Sequence, residues 1–306
     1  MSHSSIVRDG PVRGFRLSSA GGLLTTGSES IRAGTNVTQM HPIERLRYVA
    51  RASGADQALL VSETAGALAG LGVEPAGLVT ACRRIVDRHP TSGPLWWLCA
   101  RILTATEPRA EARRAVQEIA DDCTARALVA SLPEDAVVCV VGWPEVIADA
   151  LVRRGDVQVL VVDALGEGMG LARRLRRAEM EATEVPPSGL GSAAAAADLV
   201  LLEATAVGPD AFVAVAGSRA AAAVANCAGV PVWLVAGVGR FLPGPMWSAL
   251  TRRLDDAGDP WECEDEVVPL SLVGHVVGPA GLATPAESLK RIDCPITPEL
   301  FITTAF

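Results

Sequence analysis

The apolar positions of this chain change their period once, near residue 133, and the change divides it. From Met40, the segment HPIERLRYVARAS places Ile43, Leu46, Val49 and Ala50 at helical spacing. The same spacing predicts helices over 56–71, 75–88, 94–106 and 108–132, the last with Glu111, Arg114 and Glu118 on a wet face. Gly54, Gly72–Val73 and Ser92–Gly93 punctuate them. Residues 40–132 therefore read as a helical domain. At Ala136 the pattern becomes continuous and β-branched. AVVCVV (136–141) suits a strand covered on both faces. Gly142 ends it, and Pro144 suits the first turn of the helix that follows. Strands are then expected at 157–162, 181–186, 198–204, 212–215 and 230–236, with helices over 166–177, 189–197 and 218–228 between them. Alternating strands and helices predict an α/β fold, a Rossmann-like doubly wound parallel sheet over residues 133–306.

In such sheets ligands sit at the carboxyl ends of strands. That rim comprises Gly142–Trp143, Asp163–Gly170, Glu203–Asp210, Gly217–Arg219 and Gly237–Phe241.

Residues 1–39 differ from the rest. They are rich in Ser, Gly and Thr and carry four arginines against Asp9 and Glu29. They lack the apolar stretch of roughly 7–15 residues that a signal peptide needs. They read as a disordered tail, with Met40 an alternative start. The whole chain is 49% hydrophobic and carries a formal charge of −8, which excludes wholesale disorder and any broad attraction to nucleic acid. No apolar run reaches the roughly 18 residues of a membrane span. A cytoplasmic protein without membrane contact is expected. Of 27 basic residues only Lys290 is a lysine, which fits the arginine and alanine codons of a GC-rich, bacterial genome.

The seven cysteines form no Cys-x-x-Cys pair, and buried reduced thiols are expected. The four histidines lie far apart, so no metal site is expected. No phosphate loop or nucleophile elbow occurs, and Gly166-Glu-Gly168-Met-Gly170 lacks dinucleotide spacing, so no cofactor is expected. Gly217-Ser218-Arg219 opens a helix, where backbone N–H groups, a hydroxyl and a guanidinium could hold an anion; Ser218 could equally be a plain cap and Arg219 a solvated charge. Arg240 either shares that rim or is a solvated loop charge. Asp163 and Glu203 end strands, where a carboxylate either moves protons or caps the next turn. Cys139, inside a strand, reads as a buried thiol.

Several segments in this order resemble one family. His89-Pro-Thr-Ser-Gly-Pro-Leu95, Val137 to Ile147, Asp163, Ala216-Gly217-Ser218, Val230-Pro231 to Phe241, Val268-Pro269-Leu270 and Thr284-Pro285-Glu287 carry the resemblance, together with Ser53-Gly54-Ala55. The family joins the alpha, beta and delta subunits of translation initiation factor 2B with ribose-1,5-bisphosphate and methylthioribose-1-phosphate isomerases. The likeness spans roughly Met40 to Phe301. It implies a helical domain followed by a Rossmann-like domain. It also implies that the isomerases' catalytic Cys falls at Val141 and their Asp at Thr205. Two family arginines fall at Leu165 and Ser53. A valine cannot transfer a proton, and a threonine is a poor acid or base near neutral pH.

Two functions follow. The first is a non-catalytic factor-2B-like protein that forms a homodimer or larger homo-oligomer and binds a small phosphorylated ligand, a sugar phosphate or nucleotide, through Gly142, Gly217, Ser218, Arg219 and Arg240. The second is an aldose–ketose sugar-phosphate isomerase with displaced acid–base residues, drawn from Cys139, Asp163, Glu203 and Asp210.

Overall fold

The computed structural model describes residues 57–70, 75–256 and 258–301. The expected tail, the helix over 41–53 and Ser53-Gly54-Ala55 lie outside them. Helices α1 (Gln57–Gly70), α2 (Pro75–Arg88), α3 (Gly93–Thr104), α4 (Pro108–Ala120) and α5 (Thr124–Ser131) come first. Residues 108–132, expected as one helix, are two, broken at Asp121–Cys123. Neither Gly nor Pro marks that break. The Asp122 carboxylate makes it, accepting from the backbone N–H and the hydroxyl of Thr124.

The chain then alternates β1 (Val137–Val141), α6 (Glu145–Arg154), β2 (Gln158–Val162), α7 (Gly168–Arg177), β3 (Ala182–Val185), α8 (Leu190–Ala196) and β4 (Leu199–Glu203). It continues through β5 (Ala206–Val207), β6 (Ala211–Val215), α9 (Ser218–Ala228), β7 (Val232–Val235) and α10 (Gly244–Asp255). β8 (Asp265–Pro269), β9 (His275–Gly278), β10 (Gly281–Ala283) and α11 (Pro285–Ser288) close the described chain.

Seven strands form one sheet in the order β10-β9-β7-β4-β1-β2-β3, parallel except for the β10 edge. Strands β3-β2-β1-β4-β7-β9 thus follow doubly wound order, with the switch between β1 and β4. The fold is α/β with an N-terminal helical region, as the periodicity implies. β6 departs from the sequence expectation: it pairs antiparallel with β5 and β8 in a separate three-stranded sheet. Its local apolar run resembles those of its parallel neighbours. The difference lies in the two-residue turn at Pro209–Asp210, too short for a parallel crossover.

Alternation along β1 assigns its side chains. Val138 and Val140 face α6 and α7, packing with Ile147, Leu151, Leu171 and Leu175. Cys139 and Val141 face the other way, toward the alanine-rich α8 and α9 and the small sheet. With so few aromatics, alanine lets these helices sit close to the strands. A third cluster joins Trp96 and Trp97 of α3 to Met246, Trp247 and Leu250 of α10 and to Ala206 of β5. Cys82, Cys99 and Cys294 are buried in that cluster, and all the cysteines are free thiols. No described helix is long and apolar enough to cross a membrane.

Candidate functional site

A cavity of about 370 Å³ opens at the switch between β1 and β4. Val141 ends β1, Leu202 and Glu203 end β4, and Thr205 follows; all four line it. Trp143 and Glu145 enter after β1, Glu167 after β2, Ser218 opens α9, Asp265 opens β8 and Arg240 follows β7. The two positions that the resemblance assigns to acid–base chemistry, Val141 and Thr205, therefore share one cavity wall.

Of the sequence-derived candidates, the cavity gathers Glu203, Ser218 and Arg240. Arg240 is 5% exposed, and its Nη1 donates to Glu203 Oε1 at 3.0 Å and to the Ala204 carbonyl. Glu203 Oε2 in turn accepts from Ile147 N at 3.1 Å. The guanidinium is thus neither solvated nor free; a carboxylate of the same chain neutralises it.

The other candidates lie elsewhere. Cys139 faces the same side of β1 as Val141 but one pleat deeper, fully buried. Burial pushes its thiol up to about 12, which leaves no thiolate near neutral pH. Asp163 caps α7, its Oδ1 accepting from Gly168 N at 2.8 Å. Asp210 is exposed in the β5–β6 turn. The Arg219 side chain is exposed, while its backbone N–H donates to Glu266 Oε1 at 2.8 Å. Gly142 (φ +67°) and Gly217 (φ +98°) supply left-handed turns that carry the chain off β1 and into α9. Leu165, in the place of a family arginine, is exposed with φ +57° and does not line the cavity.

One pattern unites these contacts. Helix N-termini present unpaired N–H groups and a positive dipole end, the natural seat of a phosphate. Here α6 is capped by Glu203, α7 by Asp163 and α9 by Glu266. At each of these helix starts a carboxylate of the chain itself takes one of the N–H groups.

Trp143 and Glu167 fall within the rim segments the sequence pointed to, without a role assigned, whereas sequence reasoning missed Asp265 and Glu145. Asp265 pairs with Val215 across the β6–β8 ladder and bonds to Thr91. Burial raises its carboxyl above the ordinary value, against the lowering effect of Thr91. The bond to Thr91 ties it to the His89-Pro-Thr-Ser-Gly-Pro turn, whose Ser92 Oγ also bonds to Gln57 Oε1. Trp143 is 37% exposed, and its ring lies over Gly170, where a Cβ would stand 2.5 Å from Cζ3. That aromatic was visible at the strand end. Asp265 was hidden because β8 follows a stretch with no readable period.

No family model and no curated protein matches the sequence. Solved structures do. A translation initiation factor eIF-2B from Pyrococcus horikoshii OT3 aligns at TM-score 0.68 and 15% identity, covering 81% of this chain and 98% of that one. The tetrameric eIF2B-beta2-delta2 complex from Chaetomium thermophilum gives 0.63 and 16%, over 81% and 92%. The eIF2B delta subunit of Chaetomium thermophilum gives 0.60 and 18%, over 78% and 96%. At such identities the likeness is one of architecture: the chain has the eIF2B subunit fold, helical region and switch-point sheet together.

Proposed function

We propose that this chain is a non-catalytic, eIF2B-like binding protein that self-associates. The observation that carries the proposal is the chemistry of Val141 and Thr205. Both line the strand-end cavity, where the resemblance puts the isomerases' Cys and Asp, and neither can shuttle a proton at neutral pH. The Arg240–Glu203 pair and the capped helix ends further reduce what the cavity offers a phosphate. Assembly is supported by the beta2-delta2 complex named among the structural neighbours, and the proposal is a homodimer or larger, acting in the cytoplasm. The test is turnover of ribose-1,5-bisphosphate and methylthioribose-1-phosphate by the purified chain. None is expected.

One observation favours the alternative, an aldose–ketose isomerase with displaced acid–base groups. Asp265 and Glu203 line the same cavity, and burial raises the Asp265 carboxyl above its ordinary value. Turnover that disappears in Asp265→Asn or Glu203→Gln would establish that alternative and overturn the binding reading.

A further inference from the structure

We infer that the strand-end cavity takes a small organic ammonium ligand, held between the Asp265 carboxylate, the Ser218 hydroxyl and the face of Trp143. The inference rests on the binding reading above and names the chemical class of the ligand.

The charge inventory comes first. Among the described residues, Glu167, Glu203 and Asp265 line the cavity with one cation, Arg240, which is already paired to Glu203. Asp265 makes no ion pair among the described residues; Thr91 is its side-chain partner. A partly buried carboxylate without a cation is costly, and a ligand ammonium would offset that cost.

Ser218 supplies an independent observation. It is 1% exposed and lines the cavity, and its hydroxyl makes no hydrogen bond among the described residues. Buried hydroxyls ordinarily find partners. This one faces the space where a ligand N–H or O–H would provide it. Trp143 adds an aromatic face, packed on Gly170, whose ring quadrupole attracts an organic cation. A volume of about 370 Å³ suits a small molecule.

Two rival occupants fit less well. A phosphate would find the N-termini of α6 and α9 already bonded to Glu203 and Glu266. A divalent metal needs several oxygen ligands converging at one point. Among the described residues no group of three or more His, Cys, Asp or Glu is placed to hold one.

The test is calorimetric titration of the full chain with ethanolamine, putrescine and agmatine, with ribose 5-phosphate, inorganic phosphate and magnesium chloride as parallel arms at matched ionic strength. At least one amine should bind at a single site. Its Kd should rise tenfold or more in Asp265→Asn and severalfold in Ser218→Ala. Both substitutions are small, and circular dichroism checks that each variant folds. Absence of amine binding would overturn the inference. So would amine binding unchanged in Asp265→Asn, or binding of phosphate or magnesium in place of the amines. Isomerase turnover in the same preparation overturns the binding reading whatever the amines do. Absence of both turnover and amine binding overturns the ligand class alone.

Discussion

Gly93 N donates to the Thr205 carbonyl at 3.0 Å, and a Cβ built on Gly93 would stand 2.8 Å from that same oxygen. The start of α3 is therefore pressed directly onto the loop that lines the cavity. Gly93→Ala should separate the two, at a cost of about 1–3 kcal/mol by overpacking. Urea unfolding of the variant would measure it, and a change below a few tenths of a kcal/mol would contradict the contact.

Arg240 and Glu203 are both largely buried, with side-chain exposures of 6% and 11%. Removing one partner strands the other. Arg240→Met should cost about 3–5 kcal/mol, and adding Glu203→Gln should recover much of it, because the amide oxygen can still accept from Ile147 N. A double-mutant cycle by chemical denaturation provides the measurement. Simple additivity would show that the pair is not coupled.

Asp265 gives a pH dependence whose sign is fixed. Its folded carboxyl is raised by burial, so between the unfolded and folded values the folded state binds the extra proton. Stability from this group is greatest below the unfolded value, falls as pH rises through the window between the two, and stays at its lowest above the folded value. Asp265→Asn should raise the melting temperature at pH 7, and the gain should shrink as pH falls through that window. A gain that grows toward acid would reverse the assignment.

Cysteine labelling separates the thiols by burial. Cys227 is exposed, whereas Cys82, Cys99, Cys139 and Cys294 are buried, and burial pushes the Cys139 and Cys294 thiols up to about 12. Iodoacetamide at pH 8 should modify Cys227 in the folded protein and reach those four only on unfolding. Mass spectrometry of digests would show the order. Early labelling of Cys139 would revive it as a cavity group.

The sheet order could not be read strand by strand from the sequence, yet the elements through β7 could, apart from the α4–α5 break and the two-residue β5. Pro75 and Arg88 bound α2 as expected because a proline opens it and His89-Pro90 ends it. Beyond β7 less was legible. His275–Gly278 and Gly281–Ala283 are too short to show a period, although Met246, Trp247, Leu250 and Leu254 do mark α10 at helical spacing. β6 was recognised as a strand and placed in the wrong sheet, since pairing partners are set by turn length and tertiary packing. In the site, alignment of Val141 and Thr205 anticipated two residues that share a wall. Asp265 reaches that wall through a ladder pairing 50 residues away in sequence, a relationship no local pattern carries.

The capped ends of α6, α7 and α9 have a further consequence. A bound metabolite occupies its seat only as far as its concentration allows, so any stability it lends varies with the state of the cell. Glu203, Asp163 and Glu266 belong to the chain itself and hold their N–H groups at any ligand concentration. The fold has internalised its counter-anions. The stability these three bonds lend therefore does not vary with the supply of any anion.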